Sequence, residues 1–299
     1  MISNVVVVHN PLADAQGQAL KETQALLSQH GVSFEVVTTH PEACPRWPAH
    51  LDAPGAERNS LLLVLGGDGT LLRMAQCMAQ FASRPVPMVG VNTGHLGFLT
   101  RIEFKRLAEA IPRLLSGAFS LEHRAMLQLQ LQNHSGQEQP PPLLHAVNDV
   151  VIKNTNPSQL AQLNLYIDDQ FIARTDADGL IIASPTGSTA YTLAAGGPII
   201  APNVEAMAIT PICPHSFTAK PIVVSSRLRV RVESVPKSPE GRVVIAVDGQ
   251  DAGVLAAQES VVVSMAQAHL PLVTFDAPPD YGFFNVLHQK LHWATNPRK

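Results

Sequence analysis

The sequence predicts an α/β N-terminal domain, a parallel sheet flanked by helices, followed by an all-β C-terminal domain. Two observations carry that expectation. In the first part of the chain, continuous apolar runs alternate with stretches of helical period, the order of βαβ units. Beyond about residue 120 the helical period gives way to short alternating runs separated by turn residues, the texture of a β domain.

Taken in order, "NVVVVHNP" is a strand running into a polar turn, and "LADAQGQALKETQALLSQHG" is a helix stopped at Gly31. "VSFEVVTTH" is a second strand, followed by a Pro-rich loop over residues 41–55. "SLLLVL" is apolar throughout, as a parallel strand covered on both faces must be. The helix after it runs to Phe81, and "VPMVGVN" is another buried strand. In the second part, "AMLQLQLQN" alternates with period two, and "LHAVNDVVIKN", "LNLYIDD", "GLIIAS", "KPIVVS", "RLRVRVES" and "RVVIAVDG" read as short strands. A low-complexity loop, "NHSGQEQPPP", spans residues 133–142. The last stretch, "LPLVTFDAPPDYGFFNVLHQKLHW", ends in a helical pattern that either closes the β domain or returns to the first one.

Composition bounds the function. Hydrophobic residues make up 45% and charged residues 15% of 299, enough for a sizeable core, and with aromatics at 5% that core is Val, Leu, Ile and Ala. A net charge of −3 gives no footprint for nucleic acid, and no Lys/Arg run marks a membrane surface. Cys44, Cys77 and Cys213 are far apart and form no CxxC pair, which predicts reduced structural thiols rather than zinc ligands or a disulfide framework. The start "MISNVVVVHNP" lacks a basic region and its apolar run is four valines, too short for a signal peptide or a span. A cytoplasmic, soluble protein is expected.

Three glycine-rich loops stand out. The first, Gly-Gly-Asp-Gly-Thr at residues 66–70, follows a buried strand and opens a helix. Free N–H groups at a helix N-terminus favour an anion, so Gly66, Gly67, Gly69 and Thr70 read as a phosphate cradle. It is not a Walker A loop, because no GxxxxGK[ST] is present. Asp68 is the anomaly, a carboxylate where an anion should sit; the bland alternative is that it caps the helix. The second loop, "VGVNTGHLGFLT" at residues 89–100, carries Gly94 and Gly97 and by itself is equally a strand-to-loop turn. The third, "DADGLIIASPTGSTAYTLAAGGPII" at residues 176–200, offers hydroxyls, amides and Tyr191 on one helical turn, suited to sugar hydroxyls, an adenine ring and phosphate together.

In that order, "GGDGT", "VNTGHLGFLT", "VNDVVI" and "DGLIIASPTGSTAYTLAAGGPII" resemble the NAD kinase family over nearly the whole chain. GGDGT is shared with diacylglycerol and sphingosine kinases; the long third motif separates NAD kinases from them. The resemblance implies an NAD kinase-like fold with an α/β domain over residues 1–123, completed by 271–299, and a β-rich NAD-binding domain over 124–270. It implies transfer of the γ-phosphoryl group of ATP to the 2′-hydroxyl of the adenosine ribose of NAD, with a divalent cation, Mg²⁺ or Mn²⁺, and assembly as a homodimer or homotetramer. Asp68 matches the catalytic aspartate, with Gly69 and Arg73 beside it. Asn148 and Asp149 would hold ribose hydroxyls. Asp176, Asp178 and the run Thr189, Ala190, Tyr191, Thr192, Leu193 and Ala194 would hold the rest of the dinucleotide, and Asp248 and Gln250 of "VDGQD" match another polar contact. Many bacterial members carry arginine where this chain has Asp176. No metal ligand is assigned.

This chemistry accounts for the anomaly. Phosphoryl transfer needs positioning, charge neutralisation and a proton acceptor for the attacking hydroxyl. A carboxylate within hydrogen-bond reach supplies the last. Two other readings stand beside it: a lipid or sugar kinase sharing GGDGT, and a regulator that binds NAD or NADP without turnover.

Overall fold

A computed structural model describes residues 1–39, 47–82, 84–133, 135–137, 144–156, 158–235, 242–276 and 282–291. The chain divides into two compact units, one of residues 1–123 with 270–299 and the other of residues 124–269.

The first unit follows the βα order of its sequence: β1 (Asn4–His9), α1 (Gln18–Gln29), β2 (Ser33–Thr38), α2 (Ala56–Asn59), β3 (Ser60–Leu65), α3 (Asp68–Phe81), β4 (Met88–Asn92), β5 (Ile102–Glu103) and α4 (Leu107–Ser116). β1 pairs in parallel with β2 and with β3, and β3 pairs in parallel with β4. Successive side chains of a strand face opposite ways, so a strand buried at every position has both faces covered. That holds for all six residues of β3 and all five of β4. Val5, Val7, Leu61 and Leu63 share a core with Leu27 of α1 and Ile111 and Leu114 of α4. Val6, Val8, Leu62 and Val64, on the opposite face, are equally buried. Each such side chain contributes roughly 1.5–3 kcal/mol. Gly31 stands at positive φ just past α1, the stop its sequence announces.

The second unit is built from β6 (Ser120–Gln132), β7 (Leu144–Ala146), β8 (Asp149–Asn154), β9 (Ala161–Ile167), β10 (Gln170–Ala177), β11 (Gly179–Ala183), the short α5 (Tyr191–Ala194), β12 (Ala206–Ile212), β13 (Ile222–Ser225), β14 (Val230–Ser234), β15 (Val243–Val247), β16 (Gln250–Leu255) and β17 (Ser260–Thr274). One sheet runs β13-β12-β11-β8-β15-β16, antiparallel throughout. In the other, β9 lies between β10 and β14, and β14 pairs with β17. The inward residues Leu163, Leu165, Val230 and Val232 of one meet Val150, Ile152, Leu180 and Ile182 of the other in a single core. The strict alternation of β14 and β15 comes from that packing. From Leu270 onward β17 belongs to the first unit, where Leu272 pairs in parallel with Met88. The last element, α6 (Phe283–Leu291), also belongs to that unit and buries Phe283, Val286 and Leu287.

One expectation fails here. Cys77, fully buried on α3, is disulfide-bonded, so it is not a reduced thiol. Cys213 is free and exposed, and Cys44 lies outside the described residues.

Candidate active site

In the first unit β3 ends at Leu65 and the chain turns through Gly66 into α3. Gly66 stands at φ +156, and a Cβ there would come within 2.6 Å of the Thr70 hydroxyl oxygen. Its N–H donates to the carbonyl of Val91 at 3.0 Å, which ties the loop to β4. The first bond of the helix start is Thr70 N–H to Gly67 carbonyl at 3.0 Å, so the N–H groups of Asp68 and Gly69 come ahead of it at the positive end of a 14-residue helix. Thr70 accepts a hydrogen bond from Asn10 Nδ2 at 2.9 Å, which brings the polar turn after β1 against this loop. In that turn Asp14 accepts the N–H groups of Leu20 and Ala19 and faces His9 Nε2 at 3.2 Å. Burial raises the Asp14 pKa, but those donors outweigh it and hold the carboxyl below its usual value.

Asp68 is the first residue of α3, and its carboxylate turns away from the helix. The Phe98 N–H donates to Oδ2 at 2.8 Å. Oδ1 accepts the N–H of Leu99 at 3.1 Å, the N–H of Thr100 at 2.9 Å and the Thr100 hydroxyl at 2.8 Å. The second glycine-rich loop is therefore what holds Asp68. The capping alternative fails, since α3 has Gly67 at its N-cap and no side-chain cap. Gly97 is required for this approach: a Cβ on it would lie 1.9 Å from Asp68 Oδ1. Asn92, 3% exposed at the end of β4, accepts the Gly94 N–H at 2.6 Å and donates to the His95 carbonyl and, at 3.2 Å, to the Thr100 hydroxyl. Arg73 lies half-buried one turn along α3.

The second unit carries the other candidates. Asp248 and Gly249, both at positive φ, form the two-residue turn joining β15 to β16, with Val247 paired to Gln250. The Asp248 carboxylate accepts three consecutive N–H groups, from Val147 at 2.9 Å, Asn148 at 2.7 Å and Asp149 at 3.1 Å. It thereby fixes the Asn148-Asp149 corner at the start of β8. Asp149 is 4% exposed, and burial, with the Asp248 charge adding to it, pushes its carboxyl up to about 7. Against this corner lies the third loop: the Ser184 hydroxyl donates to the Val147 carbonyl, and a Cβ on Gly187 would lie 2.0 Å from the Asn148 carbonyl oxygen. The Ser188 hydroxyl, bonded to the carbonyls of Pro185 and Ile200 and to the Ile200 N–H, fastens the loop that presents Thr189 and the turn Tyr191–Ala194. In that turn Tyr191 is exposed and Thr192 buried. Asp176 accepts Gln162 Nε2 at 2.7 Å, and Asp178, at the head of β11, is exposed.

The sequence singles out Asp68 and the third loop; it does not single out Asn10, Asn92 and Thr100, which the structure brings against the first loop. The signal for the last two was present as the polar ends of "VNTGHLGFLT".

A glycine loop at a buried strand-to-helix junction, carrying its own carboxylate, and an antiparallel β unit with a polar corner are the arrangement expected of two-domain kinases of the NAD kinase type, and the comparisons with known proteins agree. Residues 5–119 match the model of the ATP-NAD kinase N-terminal domain and residues 147–275 that of the ATP-NAD kinase C-terminal domain. The NAD kinase of Symbiobacterium thermophilum is 37% identical over 91% of this chain and 94% of its own, and that of Paraburkholderia phymatum is 35% identical over 89% and 85%. Among solved structures, yeast NADH kinase complexed with NADH superposes with a TM-score of 0.80 at 26% identity, covering 99% of this chain and 89% of that one. An NAD kinase from Archaeoglobus fulgidus in complex with ATP, at 23% identity and a TM-score of 0.72, shares the fold over 97% of this chain and 98% of its own. This chain belongs to the NAD kinase family. Neither the lipid or sugar kinase reading nor the non-catalytic regulator finds support in these matches.

Proposed function

We propose that this protein transfers the γ-phosphoryl group of ATP to the 2′-hydroxyl of the adenosine ribose of NAD, giving NADP, with Asp68 as general base. The observation that carries the reading is the position of Asp68: a carboxylate at the mouth of a phosphate-type loop, held by four donors in a chain of this family. The N–H groups of Gly67 and Gly69 cradle the ATP phosphates, Gly66 shapes the turn, and Thr70 is steadied by Asn10. Asp68 takes the proton of the attacking hydroxyl while Gly69 and Arg73 border the acceptor. Asn148 and Asp149 hold ribose hydroxyls. Asp176, Asp178, Thr189, Ala190, Tyr191, Thr192, Leu193, Ala194 and Gln250 bind the remainder of the dinucleotide.

Among the described residues no three His, Cys, Asp or Glu side chains are grouped as an all-protein metal cage requires. With no protein ligand assigned, Mg²⁺ or Mn²⁺ would be carried on the ATP phosphates, where it would neutralise charge on the transferred group. Among the described residues no helix is long and apolar enough to cross a membrane, and a cytoplasmic location fits the substrates. A homodimer or homotetramer is supported by exposed apolar side chains on strands at sheet edges, Phe171 and Ile172 on β10 and Ile222 and Val223 on β13.

The test is turnover with ATP, offering NAD, 2′-deoxy-NAD, a diacylglycerol and a sugar side by side. NADP formed from NAD alone is the expected result. Phosphorylation of 2′-deoxy-NAD at a comparable rate, or of another acceptor in preference to NAD, contradicts it.

A further inference from the structure

The two oxygens of Asp68 are not equivalent. Among the described residues Oδ1 accepts three donors, Leu99 N–H, Thr100 N–H and the Thr100 hydroxyl, whereas Oδ2 accepts one, the Phe98 N–H. A carboxylate oxygen has two lone pairs, so Oδ1 is saturated and Oδ2 keeps one in reserve. What fills Oδ1 is traceable to a buried pair. Asn92 and Thr100 are 3% and 0% exposed. The carbonyl end of the Asn92 amide is fixed by accepting the Gly94 N–H, so its Nδ2 is the atom facing Thr100 Oγ1 at 3.2 Å. An amide NH₂ only donates. The Thr100 hydroxyl must therefore accept from Asn92 and aim its own proton at Asp68 Oδ1, 2.8 Å away.

We propose that Thr100, oriented by Asn92, is a positioning residue for the phosphoryl transfer: it occupies Asp68 Oδ1 so that Oδ2 is the oxygen that takes the proton of the acceptor hydroxyl. This rests on the reading of Asp68 as the base. The hydroxyl acts in two ways. It removes the alternative in which the carboxylate rotates and offers either oxygen, and it stabilises the anionic form through one more donor. Thr100→Val deletes the hydroxyl at nearly constant shape, while Thr100→Ser restores it.

The experiment is the pH dependence of single-turnover NADP formation by the full chain, for wild type, Thr100→Val, Thr100→Ser and Asp68→Asn, with thermal melts to confirm folding. Thr100→Val is expected to lower the rate at the optimum about tenfold and to move the acid limb up by about one pH unit, the equivalent of one hydrogen bond to a charged group. KM for NAD should stay within about threefold, the signature of an interaction made in the transition state. Thr100→Ser should return both rate and limb toward wild type. A Thr100→Val protein that is slow but whose acid limb has not moved, or one indistinguishable from wild type, overturns the proposal. If Thr100→Val does not fold, a Thr100→Ser profile that departs from wild type by the same one-unit shift overturns it, and a matching profile supports it. Failure of the underlying reading shows separately, as a wild type that forms no NADP or an Asp68→Asn protein that retains its rate.

Discussion

Asp68 sits among donors, and that decides what its amide would do. Asn could present an oxygen to the three donors at Oδ1, but its NH₂ would then meet the Phe98 N–H head on. Asp68→Asn should cost about 1–3 kcal/mol in a denaturant melt, since a buried donor loses its acceptor. An unchanged midpoint would mean the loop does not hold the carboxylate in solution. Gly97 faces a harder limit: its Cβ would stand 1.9 Å from Asp68 Oδ1 and 2.5 Å from the Thr100 hydroxyl. Gly97→Ala must push the carboxylate out of place, and kcat should fall by about 10²-fold or more, because misplacement of a reacting group by an ångström is worth that much. Asp149 gives a prediction in pH. Its carboxyl is raised to about 7 from 3.8, so between those values the native state holds a proton that the unfolded chain has released. Stability from this group is therefore full below about 4 and is lost as pH rises toward 7, at up to about 1.4 kcal/mol per pH unit. Asp149→Asn should gain on wild type across that window and level off above it. Urea melts from pH 5 to 8 that stay parallel would refute the cause assigned to the shift.

At the scale of elements, α6 supports the loop that holds Asp68. Phe283 packs with Phe98 at 5.9 Å between ring centroids, and Lys290 Nζ stands 5.4 Å from the Phe98 ring centre. Phe283 is 8% exposed, so Phe283→Ala should cost about 3 kcal/mol. Because Phe98 donates its N–H to Asp68, kcat should fall more than KM for NAD rises. Loss of stability with unaltered kcat would show that the helix is only a brace. Most elements were legible from period alone, and the ones that were not have reasons. α4 carries Pro112 in its interior, which speaks against a helix, yet its apolar residues Leu107, Ala110, Ile111 and Leu114 are all buried and packing prevails. β10 reads "QFIARTDA", with few positions buried and no clean alternation, so its pairing with β9 decides it. The hold on Asp68 comes from backbone N–H groups some thirty positions away, which no side-chain pattern encodes. Asp248 is a similar case: "DG" announces the hairpin turn but not the three amides its carboxylate gathers.

For the whole molecule, the division of labour follows the division of the fold. The parallel sheet of the first unit ends at a helix N-terminus and a carboxylate, to which the proposed function gives the phosphate and the proton. The β unit ends at a corner and a small polar loop, to which the proposed function gives the sugar and the base. The motifs made the family legible because each stands at a strand end; the geometry at Oδ1 and Oδ2 needed coordinates. The basicity of Asp68 is tested directly by the single-turnover rate of NADP formation by folded Asp68→Asn saturated with NAD and ATP. A loss of about 10²–10⁴-fold with NAD still bound is expected if Asp68 is the general base. A rate within tenfold of wild type would contradict it.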